Sequence, residues 1–351
     1  MIKYIIKPFL ISLAISFIFL PAGVFATSTL VEEQGPKYKM TTSPSESLFM
    51  KKARTMSKDT LITDLMAGII QGVDSNPNLD STHKADNYTQ ELVDMHFRYP
   101  ICDSPIGKTN SSFGFNVTNV TYYEITDVSI LDGIFDANIE QEIYDNIKVG
   151  TGYSFEYLWY PNNRDGTYFG NEFNGYIRHK ILDRVYQKGT YRLLLKNYID
   201  RKIVLGDATT GSPLRRDVKN TFEHELGVYI TDITKLRIIN QFAVNESNDQ
   251  YFDFFDYFTY RIGSSVIQIF TKKLYGIASF YYQRKNYYER RCTDKDKEQR
   301  DNLYTVSGSL MYDITKSISV FVNYSHSENH TNEPTERYSD SLYTAGLYYS
   351  F

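Results

Sequence analysis

Apolar and polar residues alternate with a period of two along most of the chain from about residue 61 onward. In the segment 147–160, Val149, Thr151, Tyr153, Phe155, Tyr157 and Trp159 share one face, and Lys148, Gly150, Gly152, Ser154 and Glu156 share the other. Leu131, Phe135, Ala137, Ile139 and Ile143 alternate in the same way with Asp132, Asp136, Asn138, Glu140 and Glu142. Further runs are Tyr191 to Leu195, Tyr304 to Tyr312 and Ile318 to Tyr324. Successive side chains of a strand point to opposite faces, so each run predicts an extended strand with one apolar and one polar face. The runs reach ten to fourteen residues, against about 5–6 in soluble sheets. Strands of that length, apolar on one side and charged on the other, fit a closed sheet with lipid outside and water inside.

The connections between runs fall into two classes that alternate. Short ones are Tyr144-Asp145-Asn146, Asp232 to Lys235, Lys272-Lys273 and Asp313 to Lys316, with Asp-Ile-Thr-Lys occurring at both of the four-residue positions. Long polar ones cover 74–86, 161–167, 206–217, 246–252, 289–301 and 327–340. Bacterial outer-membrane barrels alternate short periplasmic turns with longer extracellular loops in this manner. The expected strands are 61–73, 87–99, 111–124, 129–143, 147–160, 168–181, 188–204, 218–230, 235–246, 253–269, 273–287, 302–312, 317–326 and 341–351. The fold class is therefore all-β, a transmembrane antiparallel β-barrel of fourteen strands. The loop near 125–129 and the turn near 182–187 are the weakest boundaries, so twelve or sixteen strands are the alternatives. An even number closes the sheet without an open edge in lipid.

The last run places Tyr343, Ala345, Leu347, Tyr349 and Phe351 on one face and Thr344, Gly346, Tyr348 and Ser350 on the other. An alternating strand ending on an aromatic residue resembles the C-terminal signal of bacterial outer-membrane barrels, which implies the barrel-assembly machinery and the outer-membrane lipid as expected partners.

The first residues differ from all this. Lys3 and Lys7 precede an uncharged apolar run from Phe9 to Leu20, followed by Val24-Phe25-Ala26. This is the pattern of a secretory signal cleaved after Ala26, since the run is shorter than the ~20 residues of a spanning helix. Residues 27–60 are polar and Lys-rich and read as a periplasmic tail, with a plug inside the barrel as the alternative; 61–351 form the barrel. Mean hydropathy is -0.40, which alternation explains without a soluble fold. Tyr numbers 31 and Phe 22, and Tyr suits a membrane–water boundary because its ring is apolar and its tip polar. Loss of the signal removes two lysines and no acid, taking the formal charge from -4 to -6. That mild acidity argues against a nucleic-acid partner. Cys102 and Cys292 fall at opposite ends of the barrel and are not expected to pair.

Gly68-Ile69-Ile70-Gln71-Gly72-Val73-Asp74-Ser75-Asn76-Pro77, followed by Tyr88-Thr89-Gln90-Glu91, resembles the opening of the outer-membrane β-barrel porins associated with exopolysaccharide gene clusters. In that family the first strand ends on Gly-aromatic-Asp-x-Asn, and Val73 stands here in the aromatic position. Tyr324-Ser325-His326-Ser327, and Ser341 through Phe351, resemble the family's close, so the likeness spans about residues 60–351. It implies a barrel and leaves the solute open.

Candidate chemistry lies on the face expected to line the lumen. Asp132, Asp136, Glu140 and Glu142 form an acidic row, with Glu156 beside it. Arg178, Arg192 and Lys196 form a basic group that Arg237, Arg261 and Arg284 continue, with Glu223 and Glu225 among them. Opposed rows of charge bias which solutes cross a constriction; alternatively they neutralise one another between neighbouring strands. Tyr257, Phe258, Tyr260, Tyr281, Tyr282, Tyr287 and Tyr288 read as an interfacial girdle, with a sugar-stacking track as the other option. His326-Ser327-Glu328-Asn329 suggests lipid-cleaving chemistry, but His326 and Ser327 are adjacent and point to opposite faces, so no enzymatic role is expected. His224 stands alone between Glu223 and Glu225, which is no ligand set for a metal, and no cofactor is implied. The expected function is a porin-like channel for small or saccharide solutes. The alternatives are an outer-membrane component of polysaccharide export and, behind it, a lipid-modifying enzyme.

Overall fold

The computed structural model describes residues 62–80, 84–104, 107–203, 213–248, 255–293 and 295–351. The expected signal peptide and the tail lie outside the described residues. Fourteen strands follow one another: β1 (Ile62–Asp74), β2 (Asp86–Ser104), β3 (Gly107–Tyr122), β4 (Ile130–Tyr144), β5 (Ile147–Trp159), β6 (Tyr168–Leu182), β7 (Val185–Lys202), β8 (Leu214–Tyr229), β9 (Thr234–Ser247), β10 (Tyr257–Ile269), β11 (Leu274–Cys292), β12 (Lys295–Asp313), β13 (Ile318–Thr331) and β14 (Tyr338–Ser350). Each pairs antiparallel with its neighbours, and β1 closes on β14 from Met66 opposite Ser350 to Asp74 opposite Leu342. Phe351 continues this seam, its N–H donating to the Leu65 carbonyl at 3.0 Å. The even, edgeless sheet expected from alternation is the sheet observed.

The outward side chains form an apolar wall. Phe113, Phe135, Ile139, Phe173, Ile177, Val306 and Val322 are all exposed on it. Several outward tyrosines satisfy their hydroxyls across the strand pair: Tyr153 donates to Asn171 at 2.7 Å, Tyr191 to Asn220 at 2.6 Å and Tyr282 to Asn302 at 2.8 Å. Pairing of this kind removes the cost of an unsatisfied hydroxyl beside lipid. No helix among the described residues is long and apolar enough to cross a membrane, and the strands themselves supply the span. At ~3.3 Å per residue and a tilt near 40°, even a 13-residue strand exceeds the ~25 Å apolar band. This is the architecture of an outer-membrane barrel.

Strands run farther beyond the membrane than hydropathy implies. The stretch 289–301, expected to be a long loop, is almost entirely strand, with β11 running to Cys292 and β12 starting at Lys295. Its residues, from Glu289 to Asp301, are charged on both faces, so the ladder persists while the apolar alternation that announces a strand is lost. The same holds for 327–331 of β13. The turn near 182–187 is shorter than expected, with β6 ending at Leu182 and β7 starting at Val185.

Several inward aromatic rings lie flat over a glycine of the adjacent strand. A Cβ on Gly227 would stand 2.1 Å from the Tyr186 ring, and one on Gly150 2.3 Å from the Tyr176 ring. Only glycine admits that approach.

Candidate functional site

The inner wall divides into two sectors. Along β1, β2 and β11–β14 it carries an apolar cluster of Met66, Ile70, Leu92, Tyr275, Met311, Phe321 and Tyr348, in which the Phe321 and Tyr348 rings stack at 4.7 Å. Along β4–β9 it is charged.

The charged residues expected in the lumen along β4–β9 lie on the more buried face of their strands. Asp132, Asp136, Glu140 and Glu142 share the inward face of β4 opposite outward Phe135 and Ile139. Glu140 accepts from Lys148 at 2.9 Å and from the Tyr176 hydroxyl at 2.7 Å. Glu156 accepts from Tyr168 at 2.9 Å. Arg192 forms a two-pronged contact with Glu223 at 3.0 and 3.2 Å and lies 3.8 Å from Glu172. Arg237 reaches Glu225 at 2.9 Å, and the Tyr186 hydroxyl donates to the same carboxylate. Neutralisation between neighbouring strands therefore describes the β6–β9 part of the wall. Buried pairs of this type cost much when one partner is removed, because the other charge is left in a poor dielectric.

The basic residues also cover tyrosine rings. Lys196 stands 4.1 Å over Tyr168, Lys188 4.2 Å over Tyr176 and Arg178 4.2 Å over Tyr186. These three pairs ascend the β6–β7 hairpin as a ladder, and Arg261 over Tyr281 at 4.4 Å and Lys285 over Tyr257 at 3.9 Å extend the motif to β10 and β11. A cation over a ring face gains from the ring quadrupole, most where water is scarce. Parity alone puts these tyrosines inside; what their sequence positions do not reveal is which cation covers which ring.

Two expectations need correction. Arg284 does not join the basic group: it is exposed on the outward face of β11, beside Asn286. Nor are the aromatics of β10 and β11 one girdle. Tyr257, Tyr281 and Tyr287 are inward and buried, whereas Phe258, Tyr260, Tyr282 and Tyr288 lie on the other face. Adjacent aromatics cannot share a face of a strand.

No family model matches the chain, and no curated protein does. Solved structures do match. OmpT of Vibrio cholerae, as a loop L8 deletion mutant, is 9% identical over 84% of this chain and 100% of its own, with a TM-score of 0.48. The outer membrane channel DcaP of Acinetobacter baumannii is 9% identical over 84% and 99%, at 0.48, and the anion-selective porin from Comamonas acidovorans is 8% identical over 84% and 100%, at 0.46. The expectation that the chain is no enzyme does not stand. Matches that mix four OmpT structures with porins and channels give no ground for excluding catalysis. In addition His326, set aside for want of a serine on its own face, has one in Ser341 on β14, at 2.9 Å. At such identities the likeness speaks to fold alone, and the fold is a fourteen-stranded outer-membrane β-barrel.

Proposed function

We propose that the barrel is a channel for small hydroxylated or saccharide solutes. The observation that carries this reading is the ladder of cation-covered tyrosines on β6 and β7. With one ring face on a glycine and the other under a cation, Tyr176 and Tyr186 hold the basic groups in place, and the flanking carboxylates and basic groups offer hydrogen-bond partners to the hydroxyls of a sugar. The acidic row of β4 and β5, less fully paired than the basic residues of β6–β9, would bias passage by charge. The resemblance to exopolysaccharide-associated porins supports a saccharide as solute.

Purified barrel in a planar bilayer is expected to conduct, with maltooligosaccharides reducing the current. Tyr168→Ala and Tyr176→Ala are each expected to weaken that block by roughly 2- to 10-fold. A flat current trace from folded protein overturns the reading. A role in polysaccharide export would instead show as polymer retained in the periplasm after deletion of the gene.

A further inference from the structure

The outer wall holds a second set of contacts, unrelated to the lumen. His326 and Glu328 are two residues apart on β13 and share its outward face with the exposed Val322 and Tyr324. Register sets Ser341 of β14 directly opposite His326. Ser341 Oγ lies 2.9 Å from His326 Nδ1, and His326 Nε2 lies 3.3 Å from Glu328 Oε1. The other oxygen of Glu328 meets His330 Nε2 at 3.0 Å. The neutral imidazole bearing its proton on Nε2 satisfies both contacts: Nδ1 accepts from the serine, and Nε2–H donates to the carboxylate. A hydroxyl, a base and a group that orients the base are thus in sequence, which is the arrangement that activates a serine.

Its surroundings identify the substrate class. One side-chain level toward the periplasm, a groove of about 770 Å³ opens on the outward wall from β12 across β13, β14 and β1, where Gln71 lines it, to Asn87 of β2 and Tyr123. Leu310, Val322 and Ala345 supply apolar lining, Gly308 leaves room, and Tyr324 and Tyr343 stand between groove and serine. Tyr324 and Tyr343 are two residues from His326 and Ser341 respectively. A slot of this kind on a lipid-facing wall fits an acyl chain, and the serine then stands at the level where chain meets headgroup.

We propose that Ser341, His326 and Glu328 form an acyl-transfer site for membrane glycerolipids, with the acyl chain in the groove. The inference goes beyond the channel reading and does not depend on it. Ser341 Oγ attacks the ester carbonyl carbon while its proton passes to His326 Nδ1. The bond from that carbon to the glycerol oxygen breaks, and the leaving oxygen takes the proton from His326, releasing lysolipid. Water then attacks the acyl-serine, giving a proton to His326; the Ser341 oxygen leaves, recovers that proton, and fatty acid is released. Ester and water become alcohol and acid with no other reactant.

The test uses the full barrel in mixed micelles of phosphatidylethanolamine and phosphatidylglycerol, with fatty acid and lysolipid read by mass spectrometry. A fluorophosphonate probe reports the nucleophile. The expected result is probe on Ser341, with release reduced about 100-fold or more by Ser341→Ala and by His326→Asn. Glu328→Gln is expected to lower release by roughly 10-fold, since the residue only positions the base. Ser327→Ala, on the inward face beside Thr305, retains wild-type release. All variants must show the heat-modifiable migration of a folded barrel. Equal release by wild type and Ser341→Ala, or no label on Ser341, overturns the proposal. Loss of a native oligomer in Ser341→Ala without any labelling would also overturn it and make this face a contact between copies. Bilayer conductance of Ser341→Ala, expected unchanged, separates failure here from failure of the channel reading.

Discussion

The β4–β9 sector and the β12–β3 sector differ in where ionisable groups meet. In the first, charge lies inside, paired strand to strand, and the outward polar contacts are neutral ones such as Tyr153 with Asn171 and Tyr191 with Asn220. In the second, the inside holds the Met66, Leu92, Phe321 and Tyr348 cluster, while outward positions carry interacting polar groups. Besides His326 and Ser341, these include Gln71 donating to Thr89 at 2.8 Å, Tyr123 donating to Gln71 at 3.2 Å, and Asn119 donating to Glu91 at 3.3 Å. Polarity facing lipid gains nothing for stability. Glu91, His326 and Glu328 bring ionisable groups onto this outer wall, whereas in the first sector the paired charge of Arg192 with Glu223 and Arg237 with Glu225 lies inside.

The comparison can be broken by substitution. The largest effect is expected from Arg237→Ala, which leaves Glu225 buried with one strong partner fewer; about 3–5 kcal/mol should be lost, measured by urea unfolding in detergent micelles. Phe173→Arg, on the apolar outer face near the middle of β6, should cost about 2–4 kcal/mol in the same assay. Asn174→Arg, one residue on and facing inward, should cost less than ~1 kcal/mol. A similar cost for both would mean that the two faces are misassigned. Gly227→Ala forces the Tyr186 ring away and with it the bond to Glu225, at about 1–3 kcal/mol.

In the other sector the sign should reverse. Glu91→Leu, exposed on the outward face of β2, should stabilise by about 1 kcal/mol; a loss instead would show that this polarity is structural. The smallest effect is expected at the 183–184 turn. Lys180 donates to Asp183 at 2.7 Å and holds its carboxyl below the usual range. A lowered folded-state value contributes stability above the ordinary carboxylate range and loses it as pH falls through the lowered one. Because Asp183 is fully exposed to water, Asp183→Asn should leave the unfolding midpoint unchanged at neutral pH.

Much of this was legible in the chain. Alternation alone located the fourteen strands and placed Asp132, Asp136, Glu140, Glu142, Glu156, Arg178, Arg192, Lys196, Glu223, Glu225, Arg237 and Arg261 inside, because the face a side chain takes follows from parity within its own strand. Arg284 went astray because 257–260 and 280–284 are so rich in aromatics that apolar and polar faces are hard to separate there. The ends of β11 and β12 went unseen because charge on both faces erases the pattern.

What parity cannot supply is register. Sliding one strand past its neighbour by two residues keeps every side chain on its face and changes every partner. Strand existence, orientation and face were therefore determined by the sequence read locally. The pairing of Arg237 with Glu225, of Lys188 with Tyr176 and above all of His326 with Ser341 was decided only by the closed sheet. Closure requires all fourteen registers to agree around one ring, and that condition brings together residues which no stretch of the chain shows as neighbours.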